Sequence, residues 1–191
     1  MTARQFTIFD TAIGPCGIVW SERRIVGVQL PEKDPAKTRG RVARRFPDAL
    51  EAAPTAEVQS IISGILALLR GEIPDFAGVV LSMEELPEFN RRVYEIARTI
   101  PPGQTLSYGE IATKLGDRLL ARDVGAALGK NPFPIIVPCH RVLAAGGKMG
   151  GFSAPGGVST KLKMLSIERA QPNGPTLFDD LPLVARRSAR A

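Results

Sequence analysis

Cys139 stands directly before His140, the single histidine of the chain, and Arg141 follows it. A thiol becomes a nucleophile at neutral pH when a base takes its proton or a positive field stabilises the thiolate. This tripeptide offers both. The run ahead of it, residues 131–138, is apolar and carries Pro132, Pro134 and Pro138, which restrict the backbone and hold the sulfur in place. Side chains of adjacent residues rarely meet, so a bridging water suits proton transfer from Cys139 to His140 better than direct contact. Taken alone, the pair reads more often as structural than chemical, because buried cysteine mostly behaves as a small hydrophobe.

The elements around this run are legible. Residues 87–100 form an amphipathic helix pattern, with Phe89, Val93, Ile96, Ala97 and Ile100 on one face, and Pro101-Pro102-Gly103 ends it. Ser107-Tyr108-Gly109-Glu110 has the form of a capping box that opens a short helix through Ile111, Ala112 and Leu115 to Gly116. A second helix is expected over about 119–128, with Gly129 after it. Two short helices across a tight turn read as a helix-turn-helix or as an ordinary αα-hairpin. Lys114, Arg118, Arg122 and Lys130 favour the reading in which the motif meets phosphates.

The first third reads as strands over 6–9, 16–20 and 25–30, separated by turn residues, forming a small antiparallel sheet. Residues 35–46 suggest a basic helix weakened by Gly40. Residues 56–69 make a better one, with Val58, Ile61, Ile62, Ile65 and Leu68 on one face. Residues 79–83 are expected to return to the sheet. The fold class is α+β: a scaffold domain over 1–85, a mainly helical domain over 86–170, and a proline- and arginine-rich tail over 171–191 that is expected to be mobile.

Composition sets the bounds. The 191 residues are 44% hydrophobic and 23% charged, which is globular rather than disordered composition. The formal net charge of +6 hints at a polyanionic partner, although many basic soluble proteins have none. Cys16 and Cys139 are the two cysteines, too few for a disulfide framework, and with one histidine they exclude a four-ligand zinc site of Cys and His. No apolar run approaches the roughly 20 residues that span a bilayer. The first ten residues carry no signal-like apolar stretch, so a cytoplasmic protein is expected.

Residues 87–169 resemble the O6-alkylguanine-DNA alkyltransferases, or methylated-DNA–protein-cysteine methyltransferases. The resemblance rests on Ser107-Tyr108, Ala121-Arg122-Asp123-Val124-Gly125, Asn131-Pro132, Pro138-Cys139-His140-Arg141-Val142, Gly150-Gly151-Phe152-Ser153 and Glu168, in that order. It implies a protein that binds duplex DNA through the minor groove with its helix-turn-helix. Such a protein rotates the damaged nucleotide out of the stack. It moves the alkyl group of O6-alkylguanine, with O4-alkylthymine as a further candidate substrate, irreversibly to Cys139. By the same resemblance, His140 is a water-mediated base, Glu168 orients it, and Asn131 ties the helix-turn-helix to the active-site turn. Arg122 enters the stack and Tyr108 crowds the target phosphate. Ser107, Lys130 and Arg141 join the DNA-contacting set. No cofactor and no metal are implied, and the protein is expected to act as a monomer.

Three departures bear on this expectation. Asp123 follows the arginine where a small residue is more usual, Phe152 stands where many members carry tyrosine, and Ala154-Pro155 looks like a short insertion beside the alkyl pocket. The competing expectations are a lesion-recognition module without transfer, which Cys139 argues against; a transcriptional regulator; and a cysteine hydrolase, for which no oxyanion hole is in evidence. In the tail, Thr176-Leu177-Phe178-Asp179-Asp180-Leu181 looks like the short peptides that bind sliding clamps. Docking of this segment on its own domain is the commoner use of such residues.

Overall fold

The computed structural model describes residues 3–170. Expectations for the tail, including its apolar Leu177-Phe178 segment, lie outside the described residues.

The N-terminal sheet forms where alternating apolar residues are cut by short turns. Strands β1 (Gln5–Phe9), β2 (Cys16–Ser21) and β3 (Arg24–Gln29) pair antiparallel in the order β3-β2-β1. The sequence pattern does not reveal a fourth strand, β4 (Leu50–Glu51), which adds parallel to β1. Two residues carry too little periodicity to announce a strand. Residues 79–83 do not form a strand. Only Leu81 bridges to Ile25, with Ile25 and Ser82 exchanging backbone hydrogen bonds with the neighbouring segment.

Helix α1 (Pro35–Arg45) is capped by the Asp34 carboxylate, which accepts from the Lys37 amide, and Pro35 sits in the first turn where its missing N–H costs nothing. Helix α2 (Ala56–Leu68) is capped by Thr55 and buries Val58, Ile62, Ile65 and Leu68. These side chains join Ile18, Trp20, Ile25, Val93, Tyr94, Ala97, Val124 and Phe133 in one continuous apolar cluster that runs from the sheet into the later helices. Helix α3 (Glu88–Arg98) contributes Val93, Tyr94 and Ala97 to it, and the buried Tyr94 hydroxyl donates to the Ala127 carbonyl at 2.8 Å.

Strand β5 (Leu106–Ser107) leads straight into helix α4 (Tyr108–Leu115), and the capping box forms as its residues require. The Ser107 hydroxyl accepts from the Glu110 amide at 3.1 Å, and the Ser107 amide donates to the Glu110 carboxylate at 2.6 Å. Gly116, at φ 108°, closes α4 in the left-handed conformation that favours glycine. The second helix begins later than its apolar pattern suggests. Residues Arg118–Leu120 form a 3-10 turn capped by Asp117, and α5 runs Ala121–Gly129. The aspartate side chain accepts from the Leu119 amide, which ends the turn locally and moves the helix start to Ala121. Leu119 stays 87% exposed at this turn. The last elements are β6 (Val142–Leu143) and α6 (Val158–Ile167).

Candidate active site

Cys139 opens a 3-10 turn, Cys139–Arg141, that passes directly into β6. Strand β6 pairs parallel with β5, Leu106 against Val142 and Ser107 against Leu143. This short ladder fixes the cysteine turn beside the N-terminus of α4, where Tyr108 stands. A Cβ on Gly150 would come within 2.7 Å of the Tyr108 hydroxyl, so the glycine-rich loop approaches this tyrosine closely.

The approach to Cys139 is strained and heavily hydrogen-bonded. Ile135 holds φ 77°, an unusual value for a β-branched residue, and is buried. Asn131 spans the turn: its amide donates to the Val137 carbonyl at 2.8 Å, and its oxygen accepts from the Phe133 amide at 2.9 Å. The Val28 amide of β3 donates to the Pro132 carbonyl at 2.9 Å, so the N-terminal sheet braces the same turn. A Cβ on Gly27 would lie 2.6 Å from the Phe46 ring, which shows how tightly this brace is packed.

Behind the turn lies a buried polar network. The His140 side chain is fully buried, and Glu168 is 2% exposed. His140 Nε2 lies 2.8 Å from Glu168 Oε1. A carboxylate only accepts, so Nε2 carries the proton and Nδ1 presents its lone pair. Among the described residues, His140 Nδ1 is one of two buried side-chain polar atoms without a partner, the other being Trp20 Nε1. Arg141 grips Glu168 in a fork, Nε to Oε2 at 2.8 Å and Nη2 to Oε1 at 2.9 Å, and also donates to the Ile100 carbonyl. Burial alone would raise the Glu168 carboxyl; the hydrogen bonds from His140 and Arg141 outweigh it and hold the pKa at about 2. Burial pushes the His140 imidazolium pKa down, against the pull of Glu168. The imidazole is therefore neutral and basic at Nδ1.

Arg141 is 5% exposed, and its guanidinium is committed to Glu168 and Ile100. The expectation that it contacts DNA does not fit this placement, because an adjacent histidine in a 3-10 turn does not reveal which side chain turns inward. Its place is in the support of His140. Ser107 serves as the cap of α4, while Arg122 and Lys130 are exposed.

The environment of the thiol was only partly legible. Cys139 is half-buried. Burial raises its pKa, while the Asn131 side chain, the charge of Lys161 and the backbone amides of Cys139 and His140 pull the other way. Lys161 on α6 is fully buried, donates to the Val142 carbonyl at 2.6 Å, and lies 6.0 Å from the Tyr108 ring centroid. Sequence reasoning missed this residue. Its one signal is a lysine on the apolar face of a helix, beside Met164 and Leu165.

Cavities approach Cys139 from two sides. One of about 580 Å³ is lined by Tyr108, Arg122, Gly125, Cys139 and Phe152. The other, about 310 Å³, includes Asn131, Pro134, Cys139, Ala154 and Pro155. The two share Leu128, Gly129, Cys139, Phe152 and Ser153, and Ser153 is fixed by donating to the Gly129 carbonyl at 2.9 Å. The arrangement can hold a flat group against a thiol whose proton has a basic nitrogen within one residue.

Residues 88–170 match the family model described as the 6-O-methylguanine DNA methyltransferase DNA binding domain. The methylated-DNA–protein-cysteine methyltransferase of Mycobacterium tuberculosis (strain H37Rv) is 34% identical over 178 residues, covering 92% of this chain and 99% of that protein. A Thermus thermophilus protein called a DNA base-flipping protein is 38% identical over 156 residues, covering 82% of this chain and 96% of its own length. The crystal structure of Mycobacterium tuberculosis OGT in complex with DNA superposes with a TM-score of 0.71 at 32% identity, covering 86% of this chain and 92% of that one. A likeness that runs through the Cys139 turn and spans nearly all of a curated relative places this chain in the methylated-DNA–protein-cysteine methyltransferase family.

Proposed function

We propose that this protein repairs duplex DNA by taking the alkyl group of O6-alkylguanine, and of O4-alkylthymine, onto Cys139 in one irreversible turnover. The observation that carries the reading is the position of the Cys139 thiol, between two cavities and beside a buried histidine whose Nδ1 lone pair is unshared. The Cys139 thiolate attacks the carbon attached to the base oxygen. A sulfur–carbon bond forms, the carbon–oxygen bond breaks, and the electron pair leaves with the base. The thiol proton passes through a water to His140 Nδ1, and the restored base takes up a proton in turn. Glu168 stabilises the imidazolium formed, and the Lys161 charge stabilises the thiolate. The thioether product is stable, so each molecule acts once.

Helices α4 and α5 carry the DNA contact in this reading. Arg122 fills the gap left by the extruded nucleotide, Tyr108 crowds its phosphate, and Ser107 and Lys130 meet the backbone. Extrusion costs a few kcal/mol, so a filler at that point matters. Binding is sequence-independent and weakens as salt rises. A thiol that must stay reduced suits a cytoplasmic protein. Ala154 and Pro155 line the smaller cavity, which supports a pocket that takes methyl adducts well and benzyl adducts less evenly; equal rates for both would remove that restriction.

The test is a duplex carrying a single O6-methylguanine. Restored guanine should reach one equivalent per protein and stop, with Cys139→Ala restoring none. The name of the Thermus relative, a DNA base-flipping protein, favours a second reading in which the chain extrudes a base; tight binding to the lesion duplex with no restored guanine would establish extrusion without transfer instead. Clamp retention that survives removal of residues 171–191 would end the reading of Leu177-Phe178 as a clamp contact.

A further inference from the structure

The smaller cavity beside Cys139 has an uneven charge. Its charged lining residues are Arg41, Arg45 and Lys130, and no carboxylate lines it among the described residues. Two of the three come from α1 in the N-terminal half, which the repair reading leaves as a brace. Arg41 Nε lies 4.0 Å from Glu32 Oε1, the outer limit of an ion pair. Arg45 stacks on Phe46 with its guanidinium carbon 5.1 Å from the ring centroid, and donates to the Val28 carbonyl at a long 3.4 Å. Arg41 and Arg45 stand one turn apart on α1; partial loss of water, and then the charge of Arg41, lower the Arg45 pKa. A cleft lined by one sign of charge concentrates the opposite sign.

We propose that Arg41 and Arg45 form an anion subsite of the alkyl pocket, which favours O6 substituents ending in a carboxylate, the smallest being carboxymethyl. The inference rests on the alkyl-transfer reading of Cys139. In that reaction the thiolate displaces guanine from the methylene carbon of O6-carboxymethylguanine. The sulfur–carbon bond forms, the carbon–oxygen bond breaks, guanine leaves with the electron pair and takes up the proton, and the carboxylate remains on the new thioether. A thiolate approaching a carbon that bears a carboxylate meets like-charge repulsion. Cations lining the same cavity relieve it, and they do nothing comparable for a neutral substituent.

The experiment compares transfer rates from duplexes carrying O6-carboxymethylguanine and O6-carbamoylmethylguanine, which have nearly the same size and differ in charge. The ratio is read within one protein preparation, so partial loss of folded protein cancels. The native protein should favour the carboxylate. Arg41→Gln with Arg45→Gln should lower the ratio by about fivefold, the scale of one largely exposed ion pair. Arg45→Lys in the native background should retain most of it. An unchanged ratio in the double variant overturns the proposal. If both rates fall together with the affinity for undamaged duplex while the ratio holds, the arginines hold a DNA phosphate and the proposal is overturned in the same way. A protein that transfers neither group nor a methyl group contradicts the repair reading itself, a result distinct from both.

Discussion

The chain contains two thiols in two kinds of surroundings. Cys16 lies on β2, fully buried in the apolar cluster, and its nearest polar partner is the Thr11 hydroxyl at 3.7 Å. Burial pushes its pKa up to about 12, only slightly offset by Thr11. Cys139 is raised by burial too, but Asn131, Lys161 and two backbone amides act against it. Behind it stands a histidine held in one tautomer by a carboxylate that is itself held by an arginine. Burial alone makes a cysteine inert; a nucleophile needs the polar groups that burial would otherwise exclude.

The largest effect that sharpens this contrast is at the thiols themselves. Cys139→Ala should abolish transfer, while Cys16→Ala should leave its rate unchanged and cost about 1 kcal/mol of stability, as small core truncations do. Glu168→Gln follows, because it leaves Arg141 buried without its anion and offers His140 a neutral amide oxygen in place of a carboxylate. Denaturant unfolding should show a loss of roughly 3 kcal/mol, the scale for breaking a buried pair, and transfer should slow by about 100-fold, as for loss of general-base assistance.

Lys161→Met should raise the Cys139 pKa further and slow transfer at neutral pH, because less of the thiol is ionised. The rate–pH curve should move to higher pH. A curve that only drops in height, without moving, would show that Lys161 braces the Val142 carbonyl and does nothing to the thiol.

The smallest effect is on stability against pH. Glu168 is held at about 2, so its stabilisation is complete above the ordinary carboxyl value of 4.5 and fades as pH falls toward 2. His140 is kept neutral below its ordinary value of 6.5, so protonation of the unfolded chain begins to erode stability as pH drops under about 6.5. Both act in one direction, and unfolding midpoints should fall steadily from neutral to acid pH. In Cys139→Ala the same slope should persist, since the network lies behind the thiol.

Much of this site could be read from the residues because its signals are local. The capping box, the αL glycine and the cysteine–histidine pair each span only a few residues and need no tertiary context. What stayed hidden depends on packing between distant segments. Strands β5 and β6 are two residues each and pair only because the Cys139 turn delivers Val142 beside Leu106. Lys161 becomes part of the site only when α6 docks behind that turn, and Arg141 turns inward only because Glu168 and the Ile100 carbonyl are there to receive it. The start of α5 was misplaced for a local reason, since the Asp117 cap competes with helix over 118–120.

The most direct test is peptide mass spectrometry of the intact protein after reaction with a duplex carrying one O6-methylguanine. A single added methyl is expected on the Cys139 peptide and none on the Cys16 peptide, with normal guanine restored. A methyl on Cys16, or an unmodified protein that still holds the lesion duplex, would contradict it.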